Sequence, residues 1–155
     1  MKSGEVQAAL AAAVEDVLET MCFASVLHSS ATSLGQGAAA AASAVGAELR
    51  FEGNPSGGFR LDVDSTAAQG LGAAFLGLEE QEVTEIQQGE VVCELANMIC
   101  GSVLSKLERG TTFHITHPAL VQASTSAAYQ STDITRWFDL GGGGLKTCFR
   151  IRQGT

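Results

Sequence analysis

The stretch Glu90 to Gly110, EVVCELANMICGSVLSKLERG, constrains the fold more than any other part of this sequence. Its apolar residues Val92, Leu95, Ala96, Ile99, Val103 and Leu107 recur at helical spacing. A face that wide must be buried, so the helix has to lie against a second layer of structure. The other side runs Gln87, Glu90, Glu94, Asn97, Gly101, Ser105 and Glu108, all polar or glycine. Residues three apart on a helix sit about 60° apart around its axis, so Glu94 and Asn97 share one outward face. Asparagine is mildly unfavourable in mid-helix, which points to a reason other than helicity for its position. Gly101 lies one turn further on, where a missing side chain lets another surface come close. Spacing alone still favours a solvated helix face over a functional site.

The chain has 155 residues, enough for one domain with a sizeable core, and no composition break marks a linker. A single domain over 1–155 is therefore expected. Hydrophobic residues make up 45% and charged ones 17%, the balance of an ordinary soluble protein. Net charge is −8 with only nine Lys and Arg, so nucleic acid and anionic membrane are poor partners. No apolar run is long enough for a membrane span. Glu5, Glu15 and Asp16 interrupt the first apolar segment, which does not read as a signal peptide, and a cytoplasmic protein is expected. The four cysteines, Cys22, Cys93, Cys100 and Cys148, form no CxxC pair and read as small buried hydrophobes in a reducing compartment.

Taken in order, Val6 to Leu27 predicts a helix, with Leu10, Val14, Val17, Leu18, Met21 and Phe23 on its apolar side. HSSATSLGQG breaks it. A β-hairpin is expected from about Ala38 to Asp64, turning at GNPSGG, with Arg60, Asp62 and Asp64 on a solvated face. Ser65 and Thr66 are N-cap candidates for a short helix reaching Gly77. The long helix is expected to end near Arg109 with Gly110 as its cap. TTFHITHPALVQAS reads as a strand interrupted by Pro118, either an edge strand or a strand end. Two strands around Gly141–Gly144 close the chain. The sum is an α+β fold, an antiparallel sheet carrying the long helix and the N-terminal helix.

Other constellations offer little chemistry. His114 and His117 stand three apart on a strand, so their imidazoles diverge, and no third ligand is near in sequence. His28 stands alone at the expected helix end. The four glycines lie between strands, whereas phosphate-binding loops feed a helix N-terminus. No serine sits in a GxSxG elbow.

The segment ELANMICG, followed by SVLSKLE and HITHPALV, resembles the CheX-type chemotaxis phosphatases, relatives of CheC and of the flagellar-switch proteins FliY and FliM. An ExxN motif on a long surface helix marks that family, and Glu94, Leu95, Ala96 and Asn97 match it in full. Ile115, Thr116, His117 and Pro118 stand where the family has an ITPP-like stretch. The element order agrees over nearly the whole chain. The resemblance implies hydrolysis of the aspartyl phosphate on a phosphorylated CheY-like response regulator. Asn97 then orients the attacking water, Glu94 pairs with the receiver's active-site lysine, and Glu90 and Gly101 belong to the partner-binding surface. No cofactor or metal is expected on this chain, because Mg²⁺ comes with the receiver. The first helix carries Glu19 and Cys22, in ETMC, where a second ExxN would need an asparagine, so one active site is expected. The family also implies a homodimer, for which the terminal hairpin is expected to offer exposed edges. The competing reading is a non-catalytic module that binds a receiver or the flagellar switch. A metal or redox protein would rest only on the histidines and cysteines.

Overall fold

The computed structural model describes residues 2–32, 44–121 and 133–152 of the chain. Apolar spacing builds helix α1, Ser3–Cys22, with Val6, Leu10, Val14, Leu18 and Cys22 buried along one side. The helix stops short of the expected Leu27. Phe23 turns left-handed (φ 53°), and the Ala24 N–H reaches back to the Leu18 carbonyl at 3.1 Å. Phe23 is thereby carried outward and is 83% exposed, so it does not extend the apolar stripe as expected. Its turn redirects the chain into β1, His28–Ser30, where the polar sequence predicts only a break. Pairing with a neighbouring strand creates β1, and periodicity has no part in it.

Strands β2 (Ala44–Glu52) and β3 (Ser56–Asp64) form the expected hairpin; the part foreseen over 38–43 lies outside the described residues. Helix α2 (Ser65–Leu76) follows, closed by Gly77 at φ 69°. A single 3-10 turn, Glu80–Glu82, leads into the long helix α3, Glu85–Leu107. Then come β4 (His114–Ile115), β5 (Ala119–Val121), β6 (Ile134–Asp139) and β7 (Gly144–Arg152). The edge strand does break around Pro118: β4 and β5 pair separately with β2. The sheet is antiparallel, in the order β1-β6-β7-β3-β2-β4, with β5 also on β2. This is the expected α+β architecture. The terminal hairpin β6–β7 lies between β1 and β3 in the sheet order, so β3 covers the β7 side while the short β1 covers the β6 side only at Trp137–Asp139. On the β6 side, Ile134–Arg136 have no strand partner in β1, so that part of the expected edge is left. The core joins α1 and α3 to one face of the sheet through Leu10, Leu18, Phe59, Leu61, Leu95, Ile99, Phe138 and Phe149. Among the described residues no helix is long and apolar enough to cross a membrane.

The aspartates of β3 do not form a solvated face. Asp62 is 6% exposed and receives Nε and Nη2 of the equally buried Arg60, with Nε–Oδ2 at 3.0 Å. Gly46 lies opposite Asp62 on β2, and a Cβ there would stand 2.7 Å from Oδ1, so glycine makes room for the pair. Asp64, and not Ser65 or Thr66, caps α2. Its Oδ1 accepts the Ala67 N–H at 2.8 Å, while Oδ2 accepts the N–H of Gly144. One carboxylate thus fixes the start of α2 to the turn of the β6–β7 hairpin.

Asp64→Ala is expected to lower stability by about 2 kcal/mol in urea unfolding, the cost of losing a charged cap. Ser65→Ala should stay within about 0.5 kcal/mol, as for an ordinary surface change. Equal losses in the two variants would show that Asp64 is not the cap.

Candidate active site

Helix α3 is set in place from both ends and from beneath. It starts at Glu85, earlier than the periodic apolar face predicts, because Thr84 and Gln87 form a reciprocal cap. The Gln87 N–H donates to Thr84 Oγ1 at 3.1 Å, and the Thr84 N–H donates to Gln87 Oε1 at 2.9 Å. The helix ends at Leu107, with Glu108 as its cap, and Gly110 (φ 86°) turns the chain two residues later. Gly110 is therefore not the helix cap expected. Beneath it, Val92, Leu95, Ala96, Ile99 and Val103 are all fully buried.

With that face held down, Glu90, Glu94 and Asn97 are exposed on the opposite one, and Gly101 is half-buried there. Glu94 and Asn97, three apart on a regular helix, have Cβ atoms about 5–6 Å from one another. Among the described residues neither side chain is held by a hydrogen bond or ion pair. A carboxylate acceptor and a carboxamide that both donates and accepts thus project together from a rigid support. A Cβ at Gly101 would meet only Ile115 Cδ1, at 3.8 Å, an ordinary contact. The protein's own packing does not demand glycine there.

The stripe lies between two hollows. One, of about 310 Å³, is bordered by Glu90, Cys93 and Glu94 of α3, by Leu76 at the end of α2, and by His117 and Leu120. The other, of about 550 Å³, runs from Gly101 past Ser105 to Arg109, Thr111 and Phe113. The segment 117–120 beside Glu94 was not foreseen as part of the site, since only the pairing of β4 and β5 with β2 brings it there. One signal was readable: Ile86 is an apolar residue one turn before Glu90 on the polar stripe, and it is 75% exposed.

The remaining candidates stand apart from one another. His114 lies on β4, opposite Glu52, and His117 in the link to β5, both exposed. Among the described residues no three His, Cys, Asp or Glu side chains gather as a metal site. Cys22, at the second-motif position of α1, is 3% exposed, and burial pushes its thiol up to about 11. Burial also raises Cys100 and Cys148 to about 12. Cys93 is half-buried, and its thiol is raised by desolvation first and by the charge of Glu94 second.

Comparison with known proteins bears on the helix and the sheet together. A sequence model of the family described as Chemotaxis phosphatase CheX matches residues 45–138, which include Glu94 and Asn97. No curated protein sequence matches the chain. Among solved structures, CheX from Vibrio vulnificus is similar at a TM-score of 0.76 and 19% identity, covering 98% of this chain and 99% of that one. CheX in the CheX–CheY–BeF3–Mg²⁺ complex from Borrelia burgdorferi is similar at 0.69 and 20% identity, covering 94% and 97%. FliY from Thermotoga maritima is more distant, at 0.54 and 14% identity over 90% and 83%. At these identities the structural likeness speaks for the fold.

The thiols give a pH prediction. A thiol whose folded pKa is raised contributes its stability in full below the unfolded value near 9, and loses it as pH climbs towards the folded value. Urea midpoints should therefore fall between about pH 9 and pH 11 as the unfolded chain ionises Cys22, Cys100 and Cys148. In the native protein at pH 8, mass spectrometry after brief alkylation should find label on Cys93 well before the other three.

Proposed function

This chain belongs to the CheX family of chemotaxis phosphatases, and from that premise we propose that it hydrolyses the aspartyl phosphate of a CheY-like receiver domain in the cytoplasm. The observation that carries the reading is Glu94 beside Asn97, exposed and unengaged on the outer face of a buried-backed helix. The composition of the Borrelia burgdorferi complex, CheX with CheY, BeF3 and Mg²⁺, supports a receiver as the partner.

The chemistry asks little of this chain. An acyl phosphate is already activated, and phosphoryl transfer depends on in-line placement of the nucleophile and on charge neutralisation. Mg²⁺ on the receiver supplies charge neutralisation. Asn97 holds the water: its carboxamide oxygen accepts a hydrogen bond from the water, while its NH₂ can donate one to a phosphoryl oxygen. A carboxylate in that place would repel the phosphate. Glu94, one turn earlier, takes the receiver's active-site lysine and so sets the docking register. Glu90 extends the acidic edge, and Gly101 keeps the helix surface low where the two proteins meet. The buried thiol of Cys22 offers no equivalent group on α1, which supports a single site.

In a phospho-receiver decay assay with excess Mg²⁺, Asn97→Ala should lose about 10²-fold in kcat, the scale of a lost transition-state positioning group, with KM little changed. Glu94→Ala should raise KM more than it lowers kcat. An Asn97→Ala protein as active as the wild type would sink the mechanism. Tight binding to the phosphorylated receiver without faster decay would instead favour the non-catalytic module. Gly101→Ala separates docking from folding: helix propensity predicts a gain of up to about 1 kcal/mol in stability, and the docking role predicts weaker dephosphorylation of the same substrate.

A further inference from the structure

Large apolar side chains exposed to solvent are few among the described residues, and three of them surround one end of the acidic stripe. Leu76 is 40% exposed, Ile86 75% and Leu120 57%. Ile86 is one turn before Glu90 on α3, and Leu76 and Leu120 line the 310 Å³ hollow that Glu90 and Glu94 border. Leu120 is seated on the helix rather than loose above it. A Cβ at Gly89 would come within 2.7 Å of its Cδ1, so glycine at that position lets the leucine lie down on α3. Pro118 lines the same hollow and stiffens the link that carries Leu120.

Glu90 and Glu94 border the hollow itself, and further carboxylates lie in the segment that leads into α3. Glu79, Glu80 and Glu82 at the 3-10 turn, Glu85 at the start of α3, and then Glu90 and Glu94 are all exposed. An apolar floor with an acidic border is complementary to a surface of the opposite pattern, an apolar side chain set among lysines or arginines. The hollow also runs directly into the Glu94–Asn97 pair, so a partner seated at that pair would cover it. We infer that this hollow takes an apolar side chain that the receiver presents beside its active-site lysine, and that Leu76, Ile86 and Leu120 decide which receiver is served. The inference rests on the receiver-phosphatase reading, but it assigns recognition to residues that take no part in the chemistry. The acidic border would speed encounter with a basic surface in a salt-dependent way, and the apolar contact would hold it.

The test uses the full chain, with Leu120→Ser and Ile86→Ser, against a panel of receiver domains. Both side chains are largely exposed, so thermal melts should match the wild type. For the receiver that the wild type dephosphorylates best, each variant should raise KM about 10-fold and leave kcat unchanged. The same variants should weaken binding to the BeF3-loaded receiver by a similar factor. Unchanged KM and binding in both variants would overturn the inference while leaving the phosphatase reading intact. A wild type that binds the loaded receiver without speeding decay would remove the phosphatase reading, and the binding arm would still decide on the pocket. Failure of the wild type to bind any receiver, or variants that alter only self-association in sedimentation, would also overturn it.

Discussion

The outer face of α3 depends on the burial of its inner one. Val92, Leu95, Ala96, Ile99 and Val103 are each withdrawn from water against α1 and the sheet, and burying a Val, Leu or Ile is worth about 1.5–3 kcal/mol apiece. That anchoring leaves the helix almost no freedom to roll. Glu94 and Asn97 project from this fixed support, so docking them costs the entropy of their own side-chain torsions and none for ordering the backbone. The reciprocal cap of Thr84 and Gln87 keeps the N-terminal turn from fraying, and Glu90 and Glu94 lie in the next two turns.

One aspartate, Asp64, connects the rest of the scaffold to that helix by way of α2. Asp64 ties the first turn of α2 to the β6–β7 turn, and α2 in turn brings Leu76 to the hollow beside Glu94. Glycine is needed for this: a Cβ at Gly143 would fall 2.5 Å from Asp64 Oδ1. Asp62 and Arg60 neutralise each other on the sheet face turned away from the helices, where Lys146 lies over Trp137 at 5.3 Å from the ring centre. Burial lowers the pKa of Lys146, and the charge of Asp62 works against that shift. A chain with net charge −8 thus uses several of its few cations inside the sheet. Its exposed helix edge is left acidic, which suits a basic partner surface.

The sequence by itself determined the helix, its two faces and the chemistry of its exposed stripe. Glu94 and Asn97 are three apart, and local geometry alone makes such residues neighbours. The same logic makes the β2–β3 and β6–β7 hairpins legible, since turn residues and alternation are short-range signals. What only the tertiary structure decided involves residues far apart in the chain. β1 exists because β6 offers it hydrogen bonds, and Phe23 is exposed because a left-handed turn leads the chain there. Asp62 and Asp64 alternate outward like solvated residues, yet Arg60 and the N–H of Gly144 occupy them. Leu120 reaches the side of Glu94 through strand pairing and a missing Cβ at Gly89. Periodicity reports which side of an element is buried, but carries no information about which distant segment covers it. The Glu94–Asn97 pair was therefore written in the sequence, and the pocket beside it was not.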